Sequence, residues 1–135
     1  MRPRADTKGV QLTLDPGPAR SIPADQHLLT RAIENLLDNA LRYSPPDGPP
    51  VEVALAVRPG DIVLSIRDRG PGIAREHLTR VTEPFYRADP ARSRSTGGLG
   101  LGLYLARRIA EAHRGRIRAR SVPGRSATFT VNLPG

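Results

Sequence analysis

Residues 51–68, VEVALAVRPGDIVLSIRD, set the strongest constraint on the fold. Apolar and polar side chains alternate through VEVALAV (51–57) and again through DIVLSIRD (61–68), the period of a strand with one face turned to a core. Arg58, Pro59 and Gly60 between them make a tight turn, so the two strands pair as a β-hairpin. A hairpin by itself cannot hide its apolar face, and the rest of the chain must supply both further strands and a cover. VQLTL (10–14), RIRARS (116–121) and ATFTVNL (127–133) carry the same alternation, the last two joined by Pro123 and Gly124 as a second hairpin. Arg116, Arg118 and Arg120 fall on one side of their strand, which is expected to be the open one.

The cover comes from two segments with a period near 3.6. QHLLTRAIENLLDNALRYS begins at Asp25, expected as the N-cap, and stops at the prolines of PPDGPP (45–50). Leu29, Ala32, Ile33, Leu36, Leu37 and Ala40 form its apolar stripe, while Asn35, Asn39 and Arg42 line the border of that stripe. The second helix follows the glycines of STGGLGLGL and ends near His113 and Gly115, with Tyr104, Leu105, Ile109 and Ala112 expected on its apolar side. Strands in one layer with helices on one side of it predict a two-layer α/β sandwich with a mixed, mostly antiparallel sheet.

With 135 residues the chain is expected to form one domain around a moderate core. It has no cysteine, which excludes disulfides and thiolate metal sites, and no apolar run of membrane-spanning length. Its net charge is +8, and the whole excess falls after residue 84, where ten arginines face only Asp89 and Glu111. A basic chain raises the possibility of a nucleic-acid partner, yet at 4% aromatic content there is little for bases to stack on, so no nucleic acid is expected.

Two features ask for chemistry. Gly98, Gly100 and Gly102 alternate just ahead of a helix, where a glycine costs about 1 kcal/mol relative to alanine. Either they mark an ordinary loop or they let the chain close on an anion, most simply a phosphate, at a helix N-terminus. Asp68 shares the parity of Ile62, Leu64 and Ile66 and so points toward the helix-covered face, where a carboxylate needs a donor. It can bond to turn amides, or accept from the exocyclic amine of adenine, an edge at which guanine offers a carbonyl and is repelled. Gly70 and Gly72 after it leave room for a flat ligand near the backbone. Between Glu83 and Gly98, EPFYRADPARSRSTGG shows no periodicity over roughly fifteen residues, which reads as a lid.

ENLLDNALRYS, DRGPGI, EPFYRAD and GGLGLGL, in that order and at these spacings, resemble the four nucleotide-binding boxes of bacterial two-component sensor histidine kinases. The resemblance covers nearly the whole chain and is to their catalytic, ATP-binding domain, with the Bergerat fold shared by gyrase-type ATPases and an ATP lid. It implies ATP and Mg²⁺ as cofactors. Asn39 is implied as the Mg²⁺ ligand with Asn35 close by, both counted with Arg87 as catalytic. Arg42 and Arg87 are implied to pair with phosphate oxygens, and Tyr43 to lie near the ribose or phosphates. Asp68, Gly70, Gly72 and Ile73 are implied to hold adenine, and Gly98, Leu99, Gly100, Leu101, Gly102 and Leu103 to close over the triphosphate. Phe85 would anchor the lid by packing.

In that family the γ-phosphoryl group passes to a histidine on a separate dimerisation domain and then to an aspartate of a response regulator. Both are expected partners. His27, His77 and His113 do not lie in a phosphoacceptor context, so residues 1–135 are expected to be the catalytic domain of a longer sensor, monomeric when isolated and on the cytoplasmic side of an inner membrane. Water-hydrolysing relatives place a glutamate where Asn35 stands; an amide cannot serve as that base, which favours transfer over hydrolysis. Leu99, Arg114 and Ala127 depart from the family pattern, standing where a hydroxyl residue, a glycine and a hydroxyl residue are common. An anti-sigma-factor serine kinase of the same fold is the nearest alternative, for which EPFYR is less expected.

Overall fold

A computed structural model describes residues 10–14, 24–45, 47–84 and 101–134. The described strands are β1 (Val10–Leu14), β2 (Val51–Arg58), β3 (Asp61–Asp68), β4 (Arg116–Val122) and β5 (Ser126–Pro134). The helices are α1 (Gln26–Tyr43), α2 (Arg75–Leu78) and α3 (Gly102–Ala112).

Both hairpins read from the sequence form. β2 pairs antiparallel with β3 from Glu52↔Arg67 to Arg58↔Asp61, and β4 with β5 from Arg116↔Asn132 to Val122↔Ser126. β5 then joins the hairpins by pairing antiparallel with β3, and β1 adds in parallel beside β2, giving the order β1-β2-β3-β5-β4. The sheet is therefore mixed and mostly antiparallel. Along β4 the arginines at 116, 118 and 120 are exposed while Ile117 and Ala119 turn inward, as period-2 geometry requires.

α1 starts where Asp25 caps it: the carboxylate accepts from the Leu28 N–H at 3.0 Å, satisfying one of the four free amides of a helix start. Ser44 ends it, its N–H and hydroxyl both donating to the Ala40 carbonyl before the prolines forbid further turns. The helix buries Ala32, Leu36, Leu37, Ala40 and Leu41. Ile33, expected inside, is 39% exposed, and Leu41, not expected, is 1% exposed, so the buried line runs through Ala32, Leu36, Leu37, Ala40 and Leu41 and leaves Ile33 at its margin.

α3 differs more from expectation. Ile109 is buried, but its companions are Ala106 and Ala110, whereas Leu105 and Ala112 are exposed and Tyr104 is half-buried. α3 packs along α1, and at such a contact small residues let the backbones approach, so the alanines rather than the leucine take the inner line. Phe129, Ile66 and Val51 from the sheet and Leu36 and Leu41 from α1 are the largest fully buried side chains, and they fix where the layers meet. Truncating one, such as Leu36→Ala, is expected to cost about 2–5 kcal/mol.

The two helices are also tied end to end. His113, at the C-cap of α3, accepts the Asp25 N–H on Nε2 at 2.9 Å, so its ring proton sits on Nδ1, which donates to the Ile109 carbonyl at 2.8 Å. The turn beyond is closed by Gly115 N–H to Ala110 O (2.8 Å) and Arg114 N–H to Glu111 O (3.0 Å), the paired bonds of a Schellman motif. Its left-handed position, φ 62°, is filled by Arg114.

Candidate functional site

Asp68 ends β3 with its side chain on the helix-covered face and is 3% exposed. The two arginines beside it in sequence do not neutralise it. Arg67 and Arg69 point to the opposite face, where both bond Glu52 at 2.8–3.1 Å. Those hydrogen bonds from Arg67 and Arg69 lower the Glu52 pKa despite partial desolvation. For Asp68 burial dominates and raises the pKa, opposed by one hydrogen bond, from the Gly70 N–H to Oδ1 at 2.9 Å. The bond to a turn amide foreseen for this residue thus exists, but it uses one oxygen of the carboxylate. Among the described residues no other hydrogen bond reaches the Asp68 side chain, so the carboxylate retains acceptor capacity for an incoming N–H donor.

The loop after Asp68 is fitted closely into the protein. A β-carbon on Gly70 would collide with the Tyr43 carbonyl oxygen at the end of α1. One on Gly72, whose φ is +74°, would lie 2.7 Å from Val122 O and 2.8 Å from Ser121 Oγ. Both glycines are thus required by contacts within the chain, whatever else approaches them. Ile73 packs against the core and donates its N–H to Ser121 Oγ at 2.6 Å. Ala127, where the family commonly has a hydroxyl, is the direct cross-strand partner of Asp68.

α1 runs from this loop to the start of α3. Its Tyr43 end abuts Gly70, and Asn35 lies beside Gly102, 3.9 Å from where a β-carbon there would stand. Asn35, Asn39 and Arg42 follow one edge of the helix between these points, which spans about 10 Å at 1.5 Å per residue. Among the described residues neither carboxamide is hydrogen-bonded, although both are half-buried. Leu101, the N-cap of α3, offers no side-chain bond to the first amides of that helix, and the positive end of its dipole lies beside Asn35. Leu103 packs against the core, and Leu101 is half-buried.

The structure therefore brings together Asn35 with Gly102, and Tyr43 with Asp68 and Gly70, at the two ends of one polar helix edge. Arg87, Gly98, Leu99, Gly100, Phe85 and the lid beyond Pro84 lie outside the described residues. Among the described residues no cluster of three or more His, Cys, Asp or Glu could hold a metal. The residues fit a nucleotide: among the described residues, a carboxamide pair without hydrogen bonds and a helix start without a side-chain cap on one side, a buried carboxylate with spare acceptor capacity on the other. Sequence reasoning missed Ser121; the only signal was its parity with Ile117 and Ala119, which turns a hydroxyl inward.

Known proteins resemble this chain in sequence and fold. Residues 24–135 match the family described as histidine kinase-, DNA gyrase B-, and HSP90-like ATPase. The sensor-like histidine kinase SenX3 of Mycolicibacterium smegmatis is 43% identical over 130 residues, 96% of this chain and 34% of that protein. The sensor histidine kinase YkoH of Bacillus subtilis is 42% identical over 112 residues, 83% of this chain and 24% of that protein. The chain thus spans about a third or less of these relatives. The structure of the mycobacterial sensor histidine kinase MprB superposes with a TM-score of 0.74 at 30% identity, covering 99% of this chain and 87% of that one. Full-length ShkA, solved in complex with AMPPNP, gives a TM-score of 0.77 at 28% identity, covering 98% of this chain and 27% of that one. The chain has the Bergerat-type fold and belongs to the histidine kinase-, DNA gyrase B- and HSP90-like ATPases, as an ATP-binding domain homologous to those of the sensor histidine kinases.

Proposed function

We propose that the chain binds Mg²⁺-ATP along the polar edge of α1 and transfers the γ-phosphoryl group to a histidine of a separate dimerisation domain, which passes it to a response regulator. The observation that carries this is the buried Asp68 carboxylate, bonded among the described residues on one oxygen only, at one end of an edge whose other end meets the start of α3, where Leu101 provides no side-chain cap. Adenine's exocyclic amine donates to Asp68 while Ile73 lies against the ring, with Gly70 and Gly72 shaping the loop. Tyr43 and Arg42 stand near the ribose and the first phosphates. Asn39, with Asn35 beside it, supplies amide oxygens to Mg²⁺, which neutralises triphosphate charge when bound. Leu101, Gly102 and Leu103 present backbone amides to the terminal phosphates. Gly98, Leu99 and Gly100 fold over them, and Arg87 adds a charge-assisted bond.

Phosphoryl transfer asks the protein for positioning and electrostatics rather than for a covalent partner, so the reaction needs no nucleophile–base pair. Asn35 has no capacity as a base for water, which leaves the acceptor histidine as the nucleophile. The residues described here make up the binding domain of a longer sensor, at the cytoplasmic face of a membrane.

Two measurements test this. Calorimetric titration with a non-hydrolysable ATP analogue and Mg²⁺ is expected to show binding far tighter than with the GTP analogue; equal affinities would remove Asp68 from its role. Incubation with labelled ATP and the SenX3 dimerisation domain is expected to yield an acid-labile phosphohistidine, and phosphoserine instead would point to the serine-kinase alternative.

A further inference from the structure

The loop Gly70–Ile73 makes one wall of the proposed purine pocket, yet its shape is imposed from elsewhere. Ser121, on β4, accepts the Ile73 N–H on Oγ at 2.6 Å and donates the hydroxyl proton to the Ser126 carbonyl at 3.1 Å. The donor and acceptor roles are fixed, because a hydroxyl has one proton and both partners are backbone groups of known polarity. Three residues on, the Gly124 N–H in the β4–β5 turn donates to the Pro71 carbonyl at 2.6 Å. Gly72 is wedged between these two bonds, with Val122 O, Ser121 Oγ and Ser126 O all within 3.0 Å of where its β-carbon would lie. The β4–β5 hairpin thus grips the loop on both sides of Gly72, far along the chain from every box residue.

We propose that Ser121 is a positioning residue for nucleotide binding: through the Ile73 amide it sets the distance between Ile73 and Asp68, and so the width of the slot that takes the adenine ring. The inference rests on the nucleotide reading above, which assigns the slot its ligand. Ser121 touches no ligand itself. Its action is on the base, so adenine nucleotides of different phosphate number respond to its loss by the same factor. Removing the hydroxyl leaves the half-buried Ile73 N–H without its acceptor and frees the loop on one side, while Gly124 still holds the other.

The test uses the whole chain and two variants, Ser121→Ala and Ser121→Thr. Backbone amide hydrogen exchange at Ile73 is expected to accelerate in Ser121→Ala and to return to the wild-type rate in Ser121→Thr, which keeps the hydroxyl. Titration with ATP and with ADP is expected to show affinity falling about tenfold for both in Ser121→Ala, the scale of one amide left without its partner, and recovering in Ser121→Thr. Circular dichroism at the titration temperature confirms that the variants are folded. A role in stability alone would lower the melting temperature and leave both dissociation constants unchanged, which overturns the proposal, as does unaltered Ile73 exchange in Ser121→Ala. If wild-type chain binds neither nucleotide, the nucleotide reading falls as well; if wild type binds and Ser121→Ala binds equally, only this inference falls.

Discussion

Single side chains carry unequal loads in this domain, and Asp68 carries the largest. Its pKa is raised from 3.8 by burial, so the folded chain holds that proton more tightly than the unfolded one. The stability this provides is complete below 3.8 and is lost as pH rises through the raised value, because burial disfavours the ionised form. Asp68→Asn retains an oxygen for the Gly70 amide and removes the ionisable group whose charged form burial disfavours. It is expected to raise the melting temperature of the ligand-free chain at pH 7 while abolishing measurable ATP binding, a pair of changes read by calorimetry in one preparation. A lowered melting temperature would show that the carboxylate stabilises the fold instead. Arg114 is a smaller case of the same kind: it occupies the left-handed position of the Schellman turn at φ 62°, where a β-carbon is strained. Arg114→Gly is expected to raise stability to denaturant by about 0.5–1 kcal/mol without affecting binding.

At the scale of elements, the relation between α1 and α3 matters most, because each supplies one end of the proposed phosphate site. The His113–Asp25 bond joins the C-terminus of α3 to the N-cap of α1, and Gly102 meets Asn35 at the other end of the contact. His113→Ala is expected to cost about 1 kcal/mol of stability, measured by urea denaturation, and to speed exchange of the first-turn amides of α1. Unchanged exchange there would show that helix packing alone fixes the register. The hydrophobic pattern indicated the existence of both helices and the Asp25 cap, since caps and periodicity are local properties. It misplaced the buried line of α3, because the period was weighted by the bulk of Tyr104 and Leu105, whereas close helix packing selects Ala106 and Ala110.

For the molecule as a whole, nucleotide binding is expected to act as a stability switch. A ligand that binds only the folded state at a hundredfold excess over its Kd adds about 2.7 kcal/mol. Differential scanning fluorimetry with Mg²⁺-ATP is expected to raise the melting temperature by several degrees, with little change for Mg²⁺-GTP, and the rise should shrink in Asn39→Ala. An equal shift in Asn39→Ala would count against that carboxamide as a metal ligand. The net charge of +8 tells less than its placement: Arg67 and Arg69 are engaged by Glu52 on the open face of the sheet, and the arginines of β4 are exposed there too, away from the carboxylate that selects the base.

The amino-acid sequence by itself determined the strands, the hairpins, the extent and cap of α1, the inward parity of Asp68 and the order of the nucleotide-binding boxes, because each depends on residues near one another along the chain. Tertiary structure alone decided that β1 joins in parallel, that Gly70 and Gly72 are filled against α1 and the β4–β5 hairpin, that Asn35 meets Gly102, and that Ser121 holds Ile73. These contacts join residues tens of positions apart, and periodicity carries no information about which surfaces meet. Their selection rests on shape and on the need to pair every buried polar group, conditions that exist only once the layers have come together.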